Sequence, residues 1–406
     1  MRRLSTIVVG ALCWSLVVAA VAHAIQVNVD YTYDTTGFFA VGSPARHTLE
    51  RVADFYSDLL DDAFSPISTP APFTSSIPPQ QNPGTATWQW TMNFLNPSGA
   101  GEITLIDKTI AANEYRLYVG AQNLPGTTLG QGGPGGFRWQ SGGDGGYFTS
   151  AEVDEIDATT DRFSDAVTMR GETDGFARWG GSVSFDSGAG TNWHFDYATP
   201  PSAGESDLLT VAFHEIGHAL GLGSVTEWNN LTDGTGNAAY FYGPFAVAAY
   251  GGTVPLAFHQ VGGNLVADKA HWRDGTKSTV FGSAAIQDAM MGPSVNSGIR
   301  KRLTKLDAAA LADIGWTVRD PGLQGDLNHD GTVDAADYTV WRDGLGSRYT
   351  LDDYSVWKAN FGQSATGGAA AGSKAAVPEP SGILAILLGT AILAASGRYS
   401  GYRRSA

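Results

Sequence analysis

Cysteine is all but missing from this chain. Among 406 residues only Cys13 carries a thiol, and it lies in a segment expected to be removed. The mature chain therefore has no disulfide and no thiolate to act as nucleophile, metal ligand or latency switch. Basic residues are scarce too. Lys and Arg number 25 against 40 Asp and Glu, a formal charge of −15, which excludes nucleic acid as a partner because binding phosphate draws on clustered Lys and Arg. Long apolar runs occur only at the two ends. Nor is there a nucleotide loop. The glycine-rich stretch Gly130 to Gly146 has no Lys-Ser/Thr pair and no helix start behind it, so it reads as a mobile surface loop rather than a phosphate cradle.

The ends read as addresses. Residues 1–24 have Arg2 and Arg3, an apolar stretch from Ile7 to Val21, and Ala22-His23-Ala24 as a small–x–small cleavage site. That is the pattern of a secretory signal peptide. At the far end Val377-Pro378-Glu379-Pro380 precedes an apolar run from Ile383 to Ala395 and the basic Arg398, Arg403 and Arg404. Residues 377–404 resemble the PEP-CTERM sorting signal. The resemblance implies export to a Gram-negative cell envelope or beyond, with only transient membrane contact through this segment. Residues 364–376, rich in Gly and Ala, are the expected linker.

Residues 25–318 read as one domain. Leu49, Val52, Tyr56 and Leu59 fall at helical spacing after Pro44, and strand-like runs occur at Thr87–Leu95, Glu102–Ile106, Tyr115–Ala121 and Ser182–Phe185. The decisive stretch is Ser206 to Gly221. Ser206 or Asp207 can cap a helix start, and Gly221 can end it in a left-handed conformation. Inside it His214 and His218 stand four apart, so both imidazoles leave one helix face. Two neutral imidazoles so placed can bind one Zn²⁺, and Glu215 sits where a carboxylate can take a proton from zinc-bound water. A third ligand is needed. His271, His259 and Glu227 are the candidates.

The extended pattern, His214-Glu215-x-x-His218-x-x-Gly221, resembles the metzincin zinc peptidases, but Ser224 stands where their third histidine would be. His271-Trp272 followed by Met291-Gly292-Pro293 resembles the leishmanolysin-like arrangement, with its long insertion, late His-Trp ligand and Met-turn. The resemblance implies His271 as third zinc ligand and Met291 as the hydrophobic floor of the metal site. It also implies an α+β fold, a twisted mixed sheet with an active-site helix and two subdomains about a cleft. Gly180 to Phe185 resembles the family's edge strand, so Gly181, Ser182 and Val183 would pair with the main chain of a peptide substrate. Thr304 with Asp307 resembles a capping box opening a closing helix that Gly315 stops.

Residues 322–363 form a second unit. Asp326, Asn328, Asp330, Asp334 and Asp337 occupy positions 1, 3, 5, 9 and 12 of a loop with Gly331 at 6 and the Thr332 carbonyl at 7. Those are the oxygen ligands of an EF-hand Ca²⁺ site; His329 within the loop is not counted as a zinc ligand. Asp337-Tyr338-Thr339-Val340-Trp341 returns 16 residues later as Asp353-Tyr354-Ser355-Val356-Trp357, without an acidic loop before it. The unit resembles a dockerin with a degenerate second repeat, implying one Ca²⁺ and a cohesin-like or cell-envelope partner. Together these readings lead to an expectation of an exported zinc endopeptidase acting on extended or unfolded protein by Glu215-assisted attack of water. The competing readings are a catalytically inactive envelope protein, which Ser224 favours, and a calcium-dependent dockerin-type scaffold.

Overall fold

Alternation builds the outer sheet. Between Thr85 and Leu95 every second side chain is buried (Ala86, Trp88, Trp90, Met92 and Phe94), as period two requires of a strand with one face on a core. The computed structural model describes residues 25–364 apart from 174–178, 283–284, 320–322, 324, 329, 346–348 and 350. The expected signal peptide, the expected sorting signal, nearly all of the expected linker and His329 lie outside the described residues.

The strands used below are β1 (Gln26–Asp30), β2 (Thr85–Leu95), β3 (Glu102–Ile106), β4 (Glu114–Gln122), β5 (Gly130–Pro134), β6 (Gly136–Gly143), β7 (Gly180–Asp186), β8 (Val254–Val261) and β9 (Asn264–Trp272). The helices are α1 (Pro44–Leu59), α2 (Ser150–Thr168), α3 (Leu208–Ala219), α4 (Pro244–Tyr250), α5 (Lys305–Asp313), α6 (Ala335–Gly344) and α7 (Leu351–Asn360). The result is an α+β molecule with several sheets.

One sheet runs β1–β4–β7–β5, the first three parallel and β5 antiparallel to β7. Its side chains share a core with α1 and α3. Ser43 caps α1 by accepting from the Arg46 N–H, and Leu49, Val52, Tyr56 and Leu59 form its buried stripe. A second sheet joins β3, β2 and β6, and its tryptophans pack on Phe163 and Val167 of α2. Helix α2 opens with a capping box between Thr149 and Glu152.

Two expectations are corrected here. The glycine-rich stretch is not a loop: β5 pairs with β7 from Gly130↔Phe185 to Pro134↔Gly181, and β6 pairs with β2 along its length. Consequently β7 is not at the edge of its sheet. Gly181, Ser182 and Val183 lie between β4 and β5, and all seven residues of β7 are buried. On that side the sheet ends at β5. Glycine gives no alternating pattern, which is why the pairing is invisible in sequence.

The acidic unit folds as α6 and α7 around Tyr338, Trp341, Tyr354 and Trp357, whose rings lie 4.8–6.2 Å apart. It leans on α1. Asp353 lies 3.3 Å from the Arg51 guanidinium, which also sits over the Tyr349 ring at 5.5 Å. Residue 353 repeats position 337, so the aspartate that ends the acidic loop in the first copy faces a helix of the larger domain in the second. The segment leading to the unit is fixed to the same helix end, with the Arg319 N–H donating to the Leu59 carbonyl and its guanidinium 2.6 Å from Asp61. Among the described residues no helix is long and apolar enough to cross a membrane.

Candidate metal centre

Helix α3 is apolar almost all round, and every residue except His214 is buried. Its start is fixed by Asp207, which accepts from the Thr210 N–H at 3.2 Å and holds Arg300 through two contacts of 2.8 and 3.0 Å. After its last turn the chain leaves through Gly221 at φ +109, where an added Cβ would lie 2.9 Å from Ile314. The four-residue spacing puts the Nε2 atoms of His214 and His218 3.0 Å apart. The third histidine arrives on another element. His271 is next to last in β9, the second arm of an antiparallel hairpin with β8 turned by Gly262-Gly263. Its Nε2 is 3.3 Å from that of His214 and 3.1 Å from that of His218. Among the described residues this is the one group of three His, Cys, Asp or Glu whose ligand atoms come close enough to hold a metal. His259 and Glu227 are not in it. His259 lies exposed further out on the hairpin, opposite Val266.

Each imidazole is oriented from behind. Nδ1 of His214 faces the Met290 carbonyl at 3.1 Å, that of His218 the Leu222 carbonyl at 2.7 Å, and that of His271 the Asp268 carboxylate at 2.8 Å. These acceptors put the ring proton on Nδ1, so three Nε2 lone pairs point at one another with no proton between them. That arrangement fits a cation. Ligands about 2.0–2.1 Å from a tetrahedral Zn²⁺ stand about 3.3–3.4 Å apart, close to the separations here. Burial pushes the His214 pKa well below the usual imidazole value, helped by its two neighbours, and only partly opposed by the Met290 carbonyl. Burial and His271 likewise lower His218 to about 4. Both rings are thus neutral, the form that binds metal. Burial works against charge on Asp268 as well, but its bond to His271 prevails and holds its pKa below the carboxylate norm.

Glu215 points the other way from the core, toward the rim strand. Burial raises its pKa to about 8, against the pull of a hydrogen bond from the Gly132 N–H; a dication nearby would draw it back down. Strand β5 can approach this closely because Gly130 and Gly132 have no side chains. A Cβ on Gly130 would stand 2.5 Å from Glu215 Cγ, and one on Gly132 2.1 Å from the Glu215 carbonyl oxygen. Residues 130 and 132 share a strand face, so this face of β5 lies bare on helix α3.

No protein-family model matches the chain, and no curated protein or solved structure matches it either.

Met291 is fully buried, its sulfur 3.0 Å from where a Cβ on Gly217 would be. It therefore packs against α3 at Gly217, the residue before His218. One residue of this floor has a role not evident in sequence. Asp307, readable as a capping partner of Thr304, also accepts from the backbone of Met290 and Met291 and from the Trp272 indole. Neither Gly181, Ser182 nor Val183 reaches the centre with a free main-chain edge, since β5 covers them. In the acidic loop, Asp326 accepts from Asp330 and Gly331 N–H, and Asp337 from Leu327, Asn328 and Asp334 N–H. The loop is wound around its two end carboxylates. Asn328 and Asp330 bond each other at 2.9 Å, Thr332 N–H donates to Asp330, and Asp334 caps α6 through the Ala336 N–H. Its carboxylates do not converge as the imidazoles do.

Proposed function

We propose that the chain is an exported zinc endopeptidase that hydrolyses extended or unfolded protein. The observation that carries this reading is the convergence of the three Nε2 atoms of His214, His218 and His271, with the buried carboxylate of Glu215 on the same helix. A Zn²⁺ held by His214, His218 and His271 would supply Lewis acidity toward a peptide carbonyl and acidify water bound to it. Glu215 then serves as the proton carrier: its carboxylate takes a proton from the attacking water and delivers it to the leaving amine nitrogen. The Gly132 N–H orients that carboxylate. Burial raises its proton affinity, and a bound dication would lower it again, toward the range in which it can both accept and release a proton. For the substrate, the outer edge of β5 replaces Gly181–Val183 as the strand that an extended peptide would join by main-chain hydrogen bonds.

Casein hydrolysis by the purified chain with added zinc tests this, with Glu215→Ala as the blank. The variant is expected to lose about 10²–10⁴-fold in rate, the usual contribution of a positioned general base, while keeping its zinc. A folded, zinc-loaded chain no faster than that blank would leave the inactive envelope protein as the better reading.

For the acidic loop we propose one Ca²⁺ on Asp326, Asn328, Asp330, Thr332, Asp334 and Asp337, since they are all oxygen donors at the EF-hand positions. The Arg51–Asp353 contact favours a unit packed against its own chain over one free for a cohesin-like partner. Calorimetric titration with Ca²⁺ should show one equivalent bound, and Asp330→Ala should abolish it. A second equivalent of similar affinity would refute the single-site reading.

A further inference from the structure

Asp307 is fully buried, yet its two oxygens receive five hydrogen bonds. Oδ1 accepts from the Trp272 indole at 2.8 Å and the Met291 N–H at 3.2 Å. Oδ2 accepts from the Met290 N–H at 2.9 Å, the Thr304 N–H at 2.9 Å and the Thr304 hydroxyl at 2.6 Å. A helix cap needs only the Thr304 contacts. The other three reach elements that touch the metal ligands. Met290 offers its carbonyl to His214 Nδ1, and the Met291 carbonyl accepts from the backbone of Trp272, the residue after His271. One carboxylate thus grips the N–H side of the Met-turn while the turn's carbonyls point at the two ligand-bearing elements.

We propose that Asp307 is a positioning residue that fixes His214 and His271 relative to each other and so sets the affinity and geometry of the metal centre. The proposal rests on the zinc reading above, but its test reads the metal, not hydrolysis. All five partners are donors, so only a carboxylate satisfies them. An amide in its place turns N–H groups toward N–H groups, and a buried donor left without an acceptor is costly. The Met-turn must then shift, and with it the Met290 carbonyl that holds the His214 tautomer.

The test is zinc affinity of the full chain, by competition with a chromophoric chelator, together with the visible spectrum of the Co²⁺-substituted protein. Asp307→Asn is expected to weaken zinc by about 10–100-fold, the range for partners behind metal ligands, and to shift the cobalt bands. Asp313→Asn is the control. Asp313 accepts from the Phe245 and Ala246 N–H groups at the start of α4, so its loss should lower stability and leave affinity and spectrum unchanged. Should Asp307→Asn fail to fold, Trp272→Phe removes a single donor from the carboxylate and is expected to weaken zinc several-fold with altered cobalt bands. Wild-type affinity and spectrum in Trp272→Phe, or in a folded Asp307→Asn, would overturn the proposal. A wild-type chain that binds neither Zn²⁺ nor Co²⁺ would instead sink the metal centre itself, and this inference with it.

Discussion

Replacing His271 by alanine is expected to empty the metal centre, while replacing His259 leaves it loaded. Both histidines sit on the β8–β9 hairpin, but only His271 brings its Nε2 within 3.1–3.3 Å of the two α3 imidazoles. Removing it leaves two ligands on one helix and no charge-neutral donor to close the third side. The loss should exceed the roughly 10–100-fold typical of residues that merely support a ligand, and zinc should not survive dialysis. His259→Ala faces solvent and should change nothing at the centre. Zinc content by atomic absorption after dialysis decides between them. Retention of zinc by His271→Ala, with loss in His259→Ala, would reverse the ligand assignment.

The second large effect concerns a residue with no side chain. Gly132→Ala would drive a methyl to 2.1 Å from the Glu215 carbonyl oxygen and 2.8 Å from its carbon. The obstacle is helix backbone, which cannot rotate aside. Strand β5 must retreat, taking with it the N–H that orients the Glu215 carboxylate. Overpacking usually costs about 1–3 kcal/mol, and a collision with backbone belongs at the upper end or beyond. Displacing a proton carrier by about 1 Å can cost about 10²-fold in rate. Gly133→Ala provides the contrast, because nothing lies within 4 Å of its would-be Cβ. Thermal unfolding and casein hydrolysis of the pair should separate cleanly. Equal behaviour would mean that β5 is not seated on α3 as described.

The centre was legible in sequence wherever its logic is local. A spacing of four puts His214 and His218 on one face, Asp207 stands where a helix needs a cap, and Leu49, Val52, Tyr56 and Leu59 repeat at helical period. Two local signals are present but easily passed over. Thr149 and Glu152 form the capping box of α2, and Gly262-Gly263 turns the hairpin that delivers His271. What is not legible depends on partners far along the chain. Whether β7 is rim or interior is decided by β5, which pairs with it across some fifty residues of sequence. The cap at Thr304 identifies Asp307 as a helix-starting residue, but its hold on residues 272, 290 and 291 exists only once they are folded against it.

In the proposed peptidase, the bare strand beside Glu215 bears on selectivity. Between Leu129 and Pro134 the rim carries one side chain, Gln131, among glycines. Such a wall can sense the direction and extension of a peptide but has almost nothing with which to distinguish one residue from the next. It reads grammar without vocabulary. Any preference of the proposed peptidase for particular residues would then have to come from outside β5, so that one wall is kept blank by the helix beneath it while the rest is free to vary.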